Sequence, residues 1–377
     1  MKRAVLTIIT IIAVAGASFA QTVDSFLFES PRLSALGGPH AAQGVGMDAF
    51  LENPAGFATE DTGFSVARLD LSAAGPLSDI AAIMLGGSDL TSALPSLLDD
   101  QGRLYMGMDL AGPIFAGYVG RGLGVALMGK TSFTLDAVSL LNASLVVHTD
   151  AMLAGGYSFR IRAGEHTIDM GIMAKLMLRL GFSESGTAED LTNTMMAFNT
   201  ILASLPFTGQ FGVGVDAGIK WTSPFGLAVG LTGSDPYSPV WGGTYPSFID
   251  FLSGTSGTSS TGVLHPDLSA GLSYDLPFRF LDRLGLKAVI MADYRDFLDL
   301  LSLVPRNAIL NVSLGLEVSV FEVMTLRAGM REALPAAGVG FEFGLFQLDL
   351  SMYGRELGLE PGSRPSFNMD LAMSFEY

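Results

Sequence analysis

The sequence has no cysteine among its 377 residues, which removes a disulfide framework, thiol chemistry and a lipidation site. Charge is sparse as well: Asp, Glu, Lys and Arg together make up 15% of the chain, while mean hydropathy is +0.42. Even so, no apolar run after residue 20 approaches the roughly 18 residues that mark a membrane helix. High hydrophobicity that is dispersed rather than blocked suits a transmembrane barrel, whose strands alternate lipid-facing and lumen-facing residues. Basic residues are outnumbered 21 to 37, which argues against nucleic acid or an anionic surface as a partner. Catalytic motifs are missing too. There is no H-E-x-x-H, no G-x-S-x-G and no P-loop, and His40, His148, His166 and His265 are scattered without metal-ligand spacing. The glycine-rich run from Gly212 to Gly218 lies inside a strand pattern rather than ahead of a helix, so it is no nucleotide loop. The expectation is a protein that is no enzyme and carries no cofactor or metal.

What is present begins with an export signal. Lys2 and Arg3 precede an apolar run from Val5 to Ala15, and the small residues Ala17, Ser18 and Ala20 follow. This pattern predicts a signal peptide over residues 1–20, cleaved after about Ala20. Without Lys2 and Arg3 the basic count falls from 21 to 19 against 37 acidic residues, a net charge of −18. Residues 21–61 are rich in small side chains and poor in strand pattern, and they predict a compact segment packed inside the lumen as a hatch. Residues 62–377 predict the barrel.

The last eleven residues show the repeating unit most clearly. Phe367, Met369, Leu371, Met373, Phe375 and Tyr377 alternate with Asn368, Asp370, Ala372, Ser374 and Glu376. A period of two over that length is a strand with one apolar face, long enough to cross a bilayer at a tilt. The same pattern recurs near 62–71, 103–119, 123–134, 150–162, 166–181, 208–222, 225–233, 263–277, 285–295, 308–320, 323–331, 337–344, 346–354 and 365–377. That makes a fourteen-stranded antiparallel barrel. Charges within the strands, such as Asp169, Lys175, Arg179, Asp216, Arg327, Arg331 and Asp349, occupy the alternate phase and should face the lumen. In lipid, each would cost roughly 2–4 kcal/mol near the midplane.

The connections sort by length. The odd-numbered ones span 72–102, 135–149, 182–207, 234–262, 296–307, 332–336 and 355–364, and the even-numbered ones are tight turns. Long loops at one end and short turns at the other are the asymmetry of an outer-membrane barrel. Within the long loops Leu191, Met195, Phe198 and Leu202 recur at helical spacing behind Thr187 as an N-cap. They predict an apolar helix that either packs on the barrel rim or forms an external groove for an apolar ligand. Leu90, Leu94, Leu97 and Leu98 repeat this more weakly, and Phe248 with Phe251 and Leu252 marks a third short helix.

Asn53-Pro54-Ala55-Gly56, set in a small-residue segment that also carries Ala35-Leu36-Gly37-Gly38, resembles the hatch region of the FadL family of outer-membrane transporters for long-chain fatty acids and other hydrophobic compounds. The stretch looks closer still to a FadL-like group in spirochaetes, and it is similar to the PorV-type barrels that shuttle cargo in type IX secretion. The resemblance implies capture of a hydrophobic molecule in the external loops, movement of the hatch, and lateral exit into outer-membrane lipid through a wall gap at a kinked strand. Gly112-Pro113, midway along the second expected strand, is the candidate kink, since proline lacks the N–H a ladder needs. The family places its kink in the third strand. Lys175, Arg179, Arg327 and Arg331 are the candidate partners for a carboxylate headgroup. Two rival readings remain: a PorV-like barrel that binds secreted protein cargo, and a general porin with an open polar channel.

Overall fold

The computed structural model describes residues 21–377 apart from 24, 27, 61, 78, 80, 81, 83–93, 140, 188–189, 192–204, 279–282, 322 and 377. The expected signal peptide therefore lies outside the described residues. The alternating runs fold as strands: β1 (Gln21–Val23), β2 (Gly63–Ala74), β3 (Leu104–Gly120), β4 (Leu123–Ser139), β5 (Asn142–Ala163), β6 (His166–Gly186), β7 (Phe207–Thr222), β8 (Leu227–Ser234) and β9 (Pro239–Tyr245). They continue as β10 (Thr258–Leu264), β11 (Asp267–Asp275), β12 (Leu286–Tyr294), β13 (Val312–Val320), β14 (Met324–Arg331), β15 (Leu334–Phe343), β16 (Phe346–Glu356) and β17 (Pro365–Glu376). Among the described residues two short helices, α1 (Pro31–Ala35) and α2 (Phe248–Leu252), join them.

The wall runs β2 through β8, then β11 through β17, and β17 pairs back onto β2 from Asn368↔Ala74 to Glu376↔Ser65. This is a closed antiparallel barrel of fourteen strands, as the alternation predicts. Apart from one edge of β10, closure pairs the wall courses on both sides, the condition for a sheet to stand in lipid. β8 and β9 are the two halves of one wall course, both paired to β7, and β10 and β11 are the two halves of the next. β1 adds in parallel to β10, Gln21↔Gly262 through Val23↔Leu264, and covers an edge that would otherwise be bare.

Side chains sort as a membrane barrel requires. In β17 Phe367, Met369, Met373 and Phe375 are 37–53% exposed, whereas Asn368, Asp370 and Ser374 are at most 5% exposed. An apolar outside around a polar inside is the reverse of a soluble domain. Residues 25–58 fill the lumen, and their apolar side chains, among them Phe26, Met47, Phe50 and Phe57, form one cluster with Val119, Met128, Met152 and Met173 of the wall.

Three expected boundaries move. The connection at 135–149 is not a loop: β4 runs on to Ser139, β5 starts at Asn142, and Thr134↔Val146 and Asp136↔Ser144 are paired. Beyond Ser132 the outward face carries Leu135, Ala137, Ala143 and Leu145, all buried under Leu97 and Leu191 of neighbouring connections. That cover hides the strand from a reading that expects polar loops. The span 234–262 contains β9 and β10 rather than a plain loop. The strand expected from 308 begins at Val312, because the Asn307 side chain caps a 3₁₀ turn by accepting from Ile309 N at 3.2 Å.

Candidate functional site

Asn53 joins the N-terminal segment to the wall. It is fully buried, and its Oδ1 accepts from Ala55 N at 2.9 Å, capping the 3₁₀ turn Pro54–Ala58. Its Nδ2 donates to Ala41 O at 2.6 Å and to Ile219 O of β7 at 3.4 Å. Pro54 supplies the fixed φ of a first-turn residue. The wall makes room with glycine: a Cβ on Gly218 would lie 1.8 Å from Asn53 Oδ1, and one on Gly171 would lie 2.3 Å from Pro54 O. The strand glycines that the sequence pattern leaves unexplained are thus the seat of the hatch.

Around this seat the hatch is tied by charge. Asp293 of β12 accepts from Ala41 N at 2.8 Å and sits 2.5 Å from His40 Nδ1, both side chains being buried. Glu52 accepts from His40 N at 3.2 Å and Gly44 N at 3.0 Å, and Lys220 donates to Gln43 O at 3.0 Å. Arg32 donates to Glu317 of β13 at 3.0 Å and to Asp48 at 3.2 Å. Sequence reasoning set His40 aside as scattered. Its partner lies 253 residues away, and no local spacing signals such a pair.

The four cations expected to meet a headgroup are already engaged. Lys175 bridges Asp216 at 2.8 Å and Asp235 at 2.9 Å. Arg179 holds Asp150 at 2.7 Å and lies 4.4 Å over the Phe26 ring. Arg327 holds Glu317 at 2.9 Å and Asp349, and Arg331 grips Glu29 at 2.7 and 2.8 Å. Arg355 of β16 differs. It makes no hydrogen bond or ion pair among the described residues, and its Nε is buried without a partner. It borders a luminal cavity of about 670 Å³, together with Tyr105, Lys130, His148, Arg179 and Tyr353. The signal was available: Ser351, Tyr353 and Arg355 share the luminal phase of β16, with Leu350 and Met352 facing out.

At Gly112 the pairing shifts register on both edges of β3, the second wall strand. Toward β4 the pairing stops at Ala111↔Lys130 and resumes at Phe115↔Met128, and toward β2 residues 66–69 are skipped. Gly112 has φ +94, and a Cβ there would lie 2.0 Å from Arg68 O, so the break needs glycine. Met47 of the hatch reaches the wall just beyond it, 2.8 Å from where a Cβ on Gly117 would stand.

At the long-loop end Thr187 Oγ1 accepts from Asp190 N at 3.1 Å, as expected of an N-cap. Leu191 is 1% exposed and packs on the outer face of β4 and β5 with Leu97, Leu135 and Leu145. Met195, Phe198 and Leu202 lie outside the described residues. Phe207 is ringed by Phe182, Phe248 and Phe251, with centroids 4.9–5.2 Å apart, and Tyr245 meets Phe251 at 5.1 Å. Only Phe248 and Phe251 of this aromatic group stand out in the sequence pattern.

Together these features define the class: a transmembrane barrel whose lumen is filled by its own N-terminal segment and whose strand pairing shifts register beside that segment. No family model matches the chain, and no curated protein does. Among solved structures it is similar to the TodX monoaromatic hydrocarbon channel deltaS2 mutant at 10% identity, over 92% of this chain and 97% of that one, with a TM-score of 0.49. It is similar to the CymD monoaromatic hydrocarbon channel at 11% identity, over 94% and 98%, with a TM-score of 0.48. A Pseudomonas aeruginosa FadL homologue follows at 12% identity, over 93% and 99%, with a TM-score of 0.45.

Proposed function

We propose that this chain is an outer-membrane transporter of hydrophobic compounds, FadL-like in plan, with long-chain fatty acids as its substrates. The observation that carries the reading is the pairing of a plugged lumen with a broken wall. The hatch, seated on Asn53 and the wall glycines, fills the lumen that a porin would leave open. The break at Gly112 gives a ligand a lateral route into lipid that spares an acyl chain the polar inner face. Export by residues 1–20, a hatch over 21–61 and a barrel over 62–377 belong to the same proposal.

Capture falls to the external loops, through the Phe207 group and the stretch that holds Leu191, Met195, Phe198 and Leu202. Arg355 is the residue we assign to the carboxylate, since Lys175, Arg179, Arg327 and Arg331 are each neutralised. An unpaired guanidinium beside a luminal cavity suits a bidentate, charge-assisted contact. The hydrocarbon channels named above point to neutral ligands instead, and one comparison separates the two. In liposomes carrying the refolded protein, Arg355→Met should lower uptake of a labelled long-chain fatty acid about tenfold, the loss of one charge-assisted hydrogen bond, and leave toluene uptake unchanged. Equal effects on both ligands would remove the carboxylate from the proposal.

A further inference from the structure

The wall has a second break, far around the barrel from the one at Gly112. β7 pairs with β8 from Thr222↔Ala228 to Ala217↔Gly233, and with β9 from Gly212↔Val240 to Phe207↔Tyr245. Between these two runs β7 residues 213–216 face residues 234–239 with no backbone pairing. Asp235, at φ +51, turns the chain there, and Pro236 has no N–H to offer. The next wall course breaks at the same level, where β10 ends at Leu264 and β11 begins at Asp267.

Side chains fill this window instead of a ladder. Asp216 Oδ1 accepts from Asp235 N at 2.9 Å, and Ser238 Oγ donates to Asp235 Oδ1 at 2.6 Å. Lys175 Nζ, from β6, reaches Asp216 at 2.8 Å and Asp235 at 2.9 Å. A backbone ladder holds every strand around it, whereas a lysine and two carboxylates can part by rotating side chains. Buried charges placed at a lipid boundary carry a desolvation cost that a plain ladder avoids. On the membrane side the window is rimmed by Phe211 and Trp241, stacked at 6.3 Å, and by Val215, all 40–47% exposed. On the luminal side Lys175, Asp216 and Asp235 border a cavity of about 180 Å³ whose other walls mix apolar side chains, Phe26, Phe28 and Met152 among them, with polar ones such as Glu29, Glu52 and Arg295.

We infer that the break between β7 and the β8–β9 course is a second lateral portal, latched by Lys175, through which a small apolar molecule passes between the membrane and the Phe26–Phe28–Met152 pocket. The volume and the aromatic lining fit a single ring or a short acyl segment. The inference rests on the transporter reading, and its test has a readout that does not need transport.

The chain has no cysteine, so Met152→Cys places a lone thiol in the pocket. In liposomes its reaction with a bilayer-partitioned alkyl maleimide is compared with its reaction with a charged, water-soluble one. Asp235→Asn breaks the latch across the seam while leaving Lys175 with Asp216, and Asn tolerates the left-handed backbone there. The alkyl reagent should then react about tenfold faster, a modest shift toward the open population, and the charged reagent at an unchanged rate. Unchanged reaction with the alkyl reagent would overturn the portal. A second variant, Gly214→Cys with Ser238→Cys, joins positions that face each other across the window. Oxidation of that pair should cut toluene uptake about twofold, the share of one of two parallel routes, with recovery on reduction. Uptake indifferent to the cross-link would refute the portal and leave the transporter standing. Absence of uptake by every form would refute the transporter itself.

Discussion

Asn53 does three things with one side chain: it caps a 3₁₀ turn, holds the hatch together at Ala41 O and touches the wall at Ile219 O. Asn53→Ala should therefore loosen the hatch by roughly 1–3 kcal/mol, a lost cap plus an orphaned carbonyl, while the barrel stays folded. Limited proteolysis would show it as faster cleavage within residues 25–58 and an intact remainder. Titration adds a second handle. Burial alone would lift the Glu29 carboxyl, but the Arg331 guanidinium beside it prevails and holds it well below its ordinary 4.5. That contribution is present above pH 4.5 and is lost as pH falls further. Burial pushes Glu52 up to about 7 against the pull of Arg32, so its contribution is complete below 4.5 and is lost as pH rises through 7. The hatch should resist protease best near pH 4.5, weakening toward pH 3 as Glu29 protonates and toward pH 7 as Glu52 ionises, and a flat profile from pH 3 to 9 would contradict both assignments.

At the scale of the strand, alternation decides almost everything. Leu127 faces lipid at 41% exposure, and its neighbour Ala126 faces the hatch at 1%. Leu127→Arg should cost roughly 2–4 kcal/mol if it lies near the midplane, read from denaturant unfolding in vesicles. Alternation was also what made the strands legible, since fourteen runs with period two and loops sorted by length admit few other folds. Legibility failed where a strand leaves the membrane: the outward face of β4 and β5 beyond Ser132 is covered by Leu97 and Leu191, and no local pattern announces a loop lying on a strand. It failed again at the β8–β9 break, whose meaning lies in pairings with β7 rather than in its own residues. The register shift at Gly112 falls where the sequence sets a glycine beside a proline, a mark visible directly.

The whole molecule joins a lipid-facing cylinder to a lumen closed by its own N-terminal segment. The motif Asn53-Pro54-Ala55 lies in that segment, whose fastenings did not show in the sequence. His40 with Asp293, Arg32 with Glu317 and Arg331 with Glu29 join residues more than 250 positions apart. Each looks, in sequence, like an ordinary luminal charge. Arg355, a guanidinium with no hydrogen bond or ion pair among the described residues, is recognisable only once the luminal pairs around it are known.

The most direct test of a closed barrel that moves hydrophobic ligands is to measure, on one refolded preparation, ion conductance across a planar bilayer and uptake of a labelled long-chain fatty acid into liposomes. The account predicts saturable uptake that falls with Asn53→Ala, together with no steady open-channel current. A large persistent conductance without fatty-acid uptake would contradict it and identify an open porin.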